Sequence, residues 1–201
     1  MCKAADHNLE IKRLLTEIGK QIANDPNLPL GSHPILQMSS QAIILIIGQA
    51  PGIQAQKTGI PWNDKSGNRL RSWLGISKDI FYDENKIAIM PMGFCYPGSD
   101  KFGGDKPPDI KHANLWHKSL IALMPNIKLT LLVGSYAHHY YLKEKVKSSM
   151  TETVFSWREY LPEFIVLPHP SWHNNAWIKR HKWFETDLVP ELQKCIKKLL
   201  N

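Results

Sequence analysis

Six apolar residues in a row, Ala42, Ile43, Ile44, Leu45, Ile46 and Ile47, end at Gly48. A short apolar run without alternation suits a strand covered on both faces, as in a parallel sheet between helices. It is far shorter than the roughly 18 residues of a membrane span, so no spanning helix is expected. Three further runs share its character: residues 86–92 (KIAIMPM), 128–133 (KLTLLV) and 163–168 (EFIVLP). Helix signals lie between and around them. Residues 8–23 carry Leu9, Ile11, Leu14, Leu15, Ile18 and Ile22, read as one helical face. The Pro, Gly and Asn residues of 24–34 stop that helix. Further helices are expected near 68–74, over 109–124, over 136–145 with Ser135 as N-cap, and over 183–200. Strands alternating with helices predict an α/β fold around a short, mainly parallel four-stranded sheet. One domain over residues 1–201 is expected, with its core at about 42–195 and an N-terminal helix at 8–23.

Charge narrows the partner. Twenty-five Lys and Arg against 18 Asp and Glu leave a net charge of +7, which favours a polyanion such as nucleic acid. Seven tryptophans could stack on bases or fill the core. The three cysteines, Cys2, Cys95 and Cys195, are too few and too dispersed for a disulfide scaffold and form no CxxC pair. His112 and His117 miss helical metal-ligand spacing, so no metal is expected. The first residues, MCKAAD, show no apolar signal core, and a cytoplasmic monomer is expected.

Two segments at strand ends carry candidate chemistry. Gly48, Gln49, Ala50, Pro51 and Gly52 make a tight turn after the first strand, where glycines permit close backbone approach to a ligand. No GxxxxGK[ST] phosphate loop and no GxGxxG fingerprint is present. Pro168, His169, Pro170 and Ser171 follow the last strand, and the flanking prolines fix the direction of His169. Such a His can donate to a developing oxyanion, or it can be a plain loop residue beside a capping Ser. In parallel α/β sheets the ligand crevice lies beyond the carboxyl ends of the strands, so both segments are expected to face one crevice.

Together these segments resemble motifs A and B of the uracil-DNA glycosylase superfamily. GQAPGIQAQKTGIPWNDKSGNRLRSWLG is similar to the family-4 pattern GEAPGxxExxxGxPFxGxxGxxLxxxL, and LLVGSYA and FIVLPHPSW follow in the same order. The resemblance covers about residues 42–195 and implies a three-layer α/β/α sandwich acting on DNA that holds a damaged or deaminated, flipped-out base. It implies that Trp62 stacks on the base, where the bare sequence also allows a core Trp, with Ala50 and Pro51 lining the base site. It gives His169 the task of stabilising charge on the departing base. Gly52, Ser66 and Ser171 become phosphate contacts, and Trp172, His173 and Asn174 a wedge into the duplex. Lys179 and Arg180, just beyond, are expected to meet the DNA backbone.

The chain also departs from the pattern. Gln49 stands where family 4 has an acid, and Ala50 where other branches have Asp or Asn. Gln49 could orient a water, and Asp64 in the next loop could activate one. Pro91 stands where family 4 reads uracil with an Asn. A non-hydrolytic module for damaged or single-stranded DNA, and a nucleoside hydrolase or nucleotide binder, remain as alternatives. Family 4 holds an iron–sulfur cluster on four cysteines. Here only Cys95 aligns with one, Trp116 falls near another, and no N-terminal pair exists. No cofactor is expected. The purified protein should therefore be colourless and iron-free; stoichiometric iron by elemental analysis would contradict this.

Overall fold

The computed structural model describes residues 2–101 and 104–201. Phe102 and Gly103, within the Gly- and Pro-rich segment 93–109, lie outside the described residues. The four apolar runs become β1 (Ile44–Ile47), β2 (Ile87–Ile89), β3 (Leu129–Val133) and β4 (Phe164–Leu167). They form one sheet in the order β2-β1-β3-β4, and every pairing is parallel. Ile89, Ile46, Leu131 and Ile165 stand in one row across the sheet, all buried. Helices cover both faces, which gives the three-layer α/β/α sandwich and explains why the strands read as unbroken apolar runs.

The helices are α1 (Cys2–Ala23), α2 (Ile53–Thr58), α3 (Lys65–Leu74), α4 (Lys78–Phe81), α5 (Lys118–Ala122), α6 (Ser135–Leu142), α7 (Met150–Phe155), α8 (Asn175–Arg180) and α9 (Val189–Leu200). Several boundaries differ from the sequence expectation. Helix α1 begins at Cys2 rather than at 8, because no breaker separates the two points. Ile11, Leu14, Ile18 and Ile22 are buried, whereas Leu9 is 71% exposed. Leu9 sits two positions before Ile11, about 200° around a helix, so it faces away. Strand β2 ends at Ile89, short of the apolar run's end, although Met90 N and Met92 N still donate to Ile46 O (2.9 Å) and Gly48 O (2.9 Å). The helix expected over 109–124 opens with a π-helical turn, Ala113–His117, before α5. A second π turn, Phe184–Leu188, precedes α9. The cap of α6 is Gly134, not Ser135, which is already helical and makes no capping bond. That helix ends at Leu142, because Lys143 takes a left-handed φ of 51°.

Two histidines are built into the core. His138 on α6 shares its Nε2 between the carbonyls of Leu132 (3.0 Å) and Leu167 (3.1 Å). His117 lies between the Pro91 carbonyl (3.1 Å from Nε2) and the Tyr141 hydroxyl (2.6 Å from Nδ1). Burial pushes each imidazole down to about 4. An unfolded-state His titrates near 6.5, so the unfolded chain binds these protons first as pH falls. Stability is therefore full above about 6.5 and lost progressively down to about 4, at about 1.4 kcal/mol per pH unit for each group. Denaturant unfolding at pH 7 and pH 5 should show a clear loss at pH 5; equal stability would contradict burial of two neutral histidines.

Candidate functional site

The carboxyl ends of β1, β3 and β4 supply the floor of a crevice. After β1, Gly48 and Gln49 stay bonded to the chain beyond β2: Met92 N donates to Gly48 O (2.9 Å) and Gly93 N to Gln49 O (3.0 Å). After β3, Gly134 adopts a φ of 90° and donates to Leu167 O (2.9 Å). A Cβ on Gly134 would stand 3.5 Å from the His169 Cβ, so the glycine forms the seat beneath that side chain. After β4, the backbone of the HPSW segment is pinned from two sides. Arg69 Nη1 donates to Ser171 O (3.0 Å) and Asn174 Nδ2 to His169 O (2.7 Å). Neither imidazole nitrogen of His169 has a partner among the described residues, and the ring lines an open cavity of about 230 Å³. Burial lowers the His169 pKa below its ordinary value; the Asp64 carboxylate opposes that shift and His173 adds to it.

Trp62 forms another wall of the cavity, and its conformation is unusual. Its φ is 55°, a left-handed value that a bulky residue holds only when its surroundings enforce it. Tyr82 Oη donates to Pro61 O (3.0 Å), and the buried Arg71 donates to Trp62 O (3.3 Å). Two glycines make room. A Cβ on Gly67 would come within 1.7 Å of Trp62 O, and one on Gly48 within 2.8 Å of the indole Cζ2. The indole thus lies against the end of β1, with its centroid 5.5 Å from the His169 ring. Behind it is a slot of about 20 Å³, lined by groups such as Ile35, Ile89, Pro61 and Pro91. That is room for about one water, so a planar ligand must use the outer, cavity side of the ring.

Most of the residues singled out in the sequence line this one cavity: Gln49, Ala50, Pro51, Gly52, Trp62, Asp64, Ser66, His169, Ser171, Trp172 and His173. Asp64 also caps α3, accepting from Gly67 N (2.7 Å) through Oδ1. Ser171 precedes a 3₁₀ turn, but its side chain makes no cap bond. Trp172 is 71% exposed and stacks on His173 with ring centroids 3.8 Å apart. Asn174 does not line the cavity; its side chain braces His169 instead. Lys179 and Arg180 are exposed at the end of α8, also outside the cavity. The structure adds Pro97, Asp105 and Lys106, which sequence patterns did not single out. They come from the long 93–109 segment, whose unusual length was the one available signal.

The surroundings of Cys95 do not fit an iron–sulfur cluster. Its thiol is buried and its pKa is pushed up to about 12, chiefly by burial. The neighbouring imidazoles are already used: His112 Nδ1 accepts from Phe94 N (3.0 Å), and His112 and His117 stack on the Phe94 ring. Among the described residues, no group of three His, Cys, Asp or Glu could hold a metal ion. None of their helices is long and apolar enough to cross a membrane.

Gly67→Ala should cost at least about 1–3 kcal/mol, since the new Cβ must displace the Trp62 carbonyl. An unchanged denaturation midpoint would contradict the packing described here.

A family model for the uracil DNA glycosylase superfamily matches residues 37–193, a span holding all four strands and every residue that lines the cavity. With that match over most of its length, the chain belongs to the uracil DNA glycosylase superfamily.

Proposed function

We propose that this protein is a monofunctional DNA glycosylase that hydrolyses the N-glycosidic bond of a damaged or deaminated base. One observation carries the reading: Trp62 and an unpartnered His169 imidazole share a cavity with the Gly48–Gly52 turn. A base taken out of the stack would lie on the outer face of Trp62, with Ala50 and Pro51 at its edge. Lowered by burial, the imidazole is neutral at pH 7 and offers one N–H to a base carbonyl. As the glycosidic bond breaks, its electron pair stays with the base, and that donor stabilises the resulting anion. Gln49 and Asp64 line the same cavity, where Gln49 would orient a water and Asp64 could activate one. Gly52, Ser66 and Ser171 would hold phosphates. The Trp172–His173 pair would fill the gap left in the duplex, with Asn174 fixing the loop. Lys179 and Arg180 would meet the backbone beyond.

A second reading rests on motif A itself. Gln49 and Ala50 bring no carboxylate, which suits a module that binds lesions or single strands without cutting them. Incubation with duplexes carrying uracil, hypoxanthine, xanthine or a mismatched thymine, followed by detection of abasic sites, separates the two readings. The glycosylase reading predicts abasic sites with at least one of these bases. His169→Ala should lower single-turnover excision about 100- to 1000-fold while duplex affinity stays nearly intact. Excision at the wild-type rate by that variant would contradict the assignment of His169.

A further inference from the structure

We infer that Asp105 is the carboxylate that activates the attacking water; the inference rests on the glycosylase reading above. The sheet order places β2 and β4 at opposite edges, with β1 and β3 between them. His169 follows β4, and the segment bearing Asp105 follows β2. Both nevertheless line the same cavity, so they enter it from opposite ends of the strand row. Glycosidic hydrolysis needs a water on the C1′ face away from the departing base, and a carboxylate that enters the cavity from the other edge of the sheet than His169 can serve that face.

In the arm that carries Asp105, the described residues on either side of 102–103 are paired with one another, and Asp105 among them is exposed. Asp100 N donates to Gly104 O (2.7 Å) and Lys106 N to Gly98 O (2.9 Å), with Ser99 and Asp105 paired between them. Tyr96 anchors the base of this arm through its hydroxyl contact with Ser99 Oγ (2.7 Å). Its backbone N–H donates to Gln56 Oε1 (2.8 Å), which ties the arm to α2. The backbone of Asp105 is thus fixed, while its carboxylate carries no hydrogen bond or ion pair among the described residues. Asp64 differs: one of its oxygens is committed to the cap of α3. A free carboxylate can accept a proton from water and face the positive charge that grows on C1′.

The step balances as follows. Water oxygen bonds to C1′, one water proton passes to Asp105, and the C1′–N bond breaks. The electron pair leaves on the base, which is held by His169 and takes up, through solvent, the proton that Asp105 releases. An abasic sugar and a free base result, with no co-reactant besides water.

The test uses the full chain and any base that the wild-type protein excises. Asp105→Asn should lower single-turnover excision by at least about 100-fold with unchanged duplex affinity. In Asp105→Ala, added formate should restore part of the rate, which a purely structural role would not allow. Formate should not restore the rate of Asp64→Ala. If Asp105→Asn excises at the wild-type rate, or if Asp64→Ala is the variant that formate rescues, Asp105 is not the base and the glycosylase reading stands. If the wild-type protein excises no base, both fall.

Discussion

The carbonyl oxygen of Leu167 accepts two hydrogen bonds, from Gly134 N and from His138 Nε2. That single atom joins the ends of β3 and β4 to the first turn of α6, two residues before His169. Because His138 is buried and neutral, the clamp has no water competing for it. Gly134 then fills the space directly beneath His169, so the imidazole rests on a rigid base. The opposite wall uses the same device. Trp62 is held in its left-handed conformation by Arg71 and Tyr82, with Gly67 and Gly48 leaving room for its carbonyl and indole. A site organised in this way spends little on ordering itself when a ligand arrives.

Much of the architecture was legible because buried parallel strands have an unmistakable composition. AIILII, KLTLLV and EFIVLP each yield a strand, and the order of segments matches the superfamily. Helix ends were less legible. Leu9 shows why: a leucine within an amphipathic pattern looks like core until its angular position is counted. Ser135 failed for another reason. Gly134 takes the capping position with a positive φ, which the sequence alone could not place.

The cavity was also partly legible. GQAPG and HPS sit at the ends of strands that the parallel fold brings together, so their convergence follows from topology. Asp105 and Lys106 were hidden because they lie in a segment without periodicity, and only the chain path after β2 carries them to the cavity. Trp62 was ambiguous between core and ligand face. The structure makes it both: one side closes the small slot over Ile89 and Pro91, and the other lines the open cavity.

The central claim is a division of charge. Under the proposed glycosylase reading, a neutral His169 would serve an anionic leaving group, while the cavity-lining carboxylates of Asp64 and Asp105 would face the sugar as it becomes cationic. Competition binding tests this without knowing which base is removed. One duplex carries a neutral tetrahydrofuran abasic residue, and the other a cationic pyrrolidine at the same position. The account predicts that the cationic duplex binds at least about tenfold more tightly, because it resembles the charged transition state. Equal affinity for the two duplexes would contradict it.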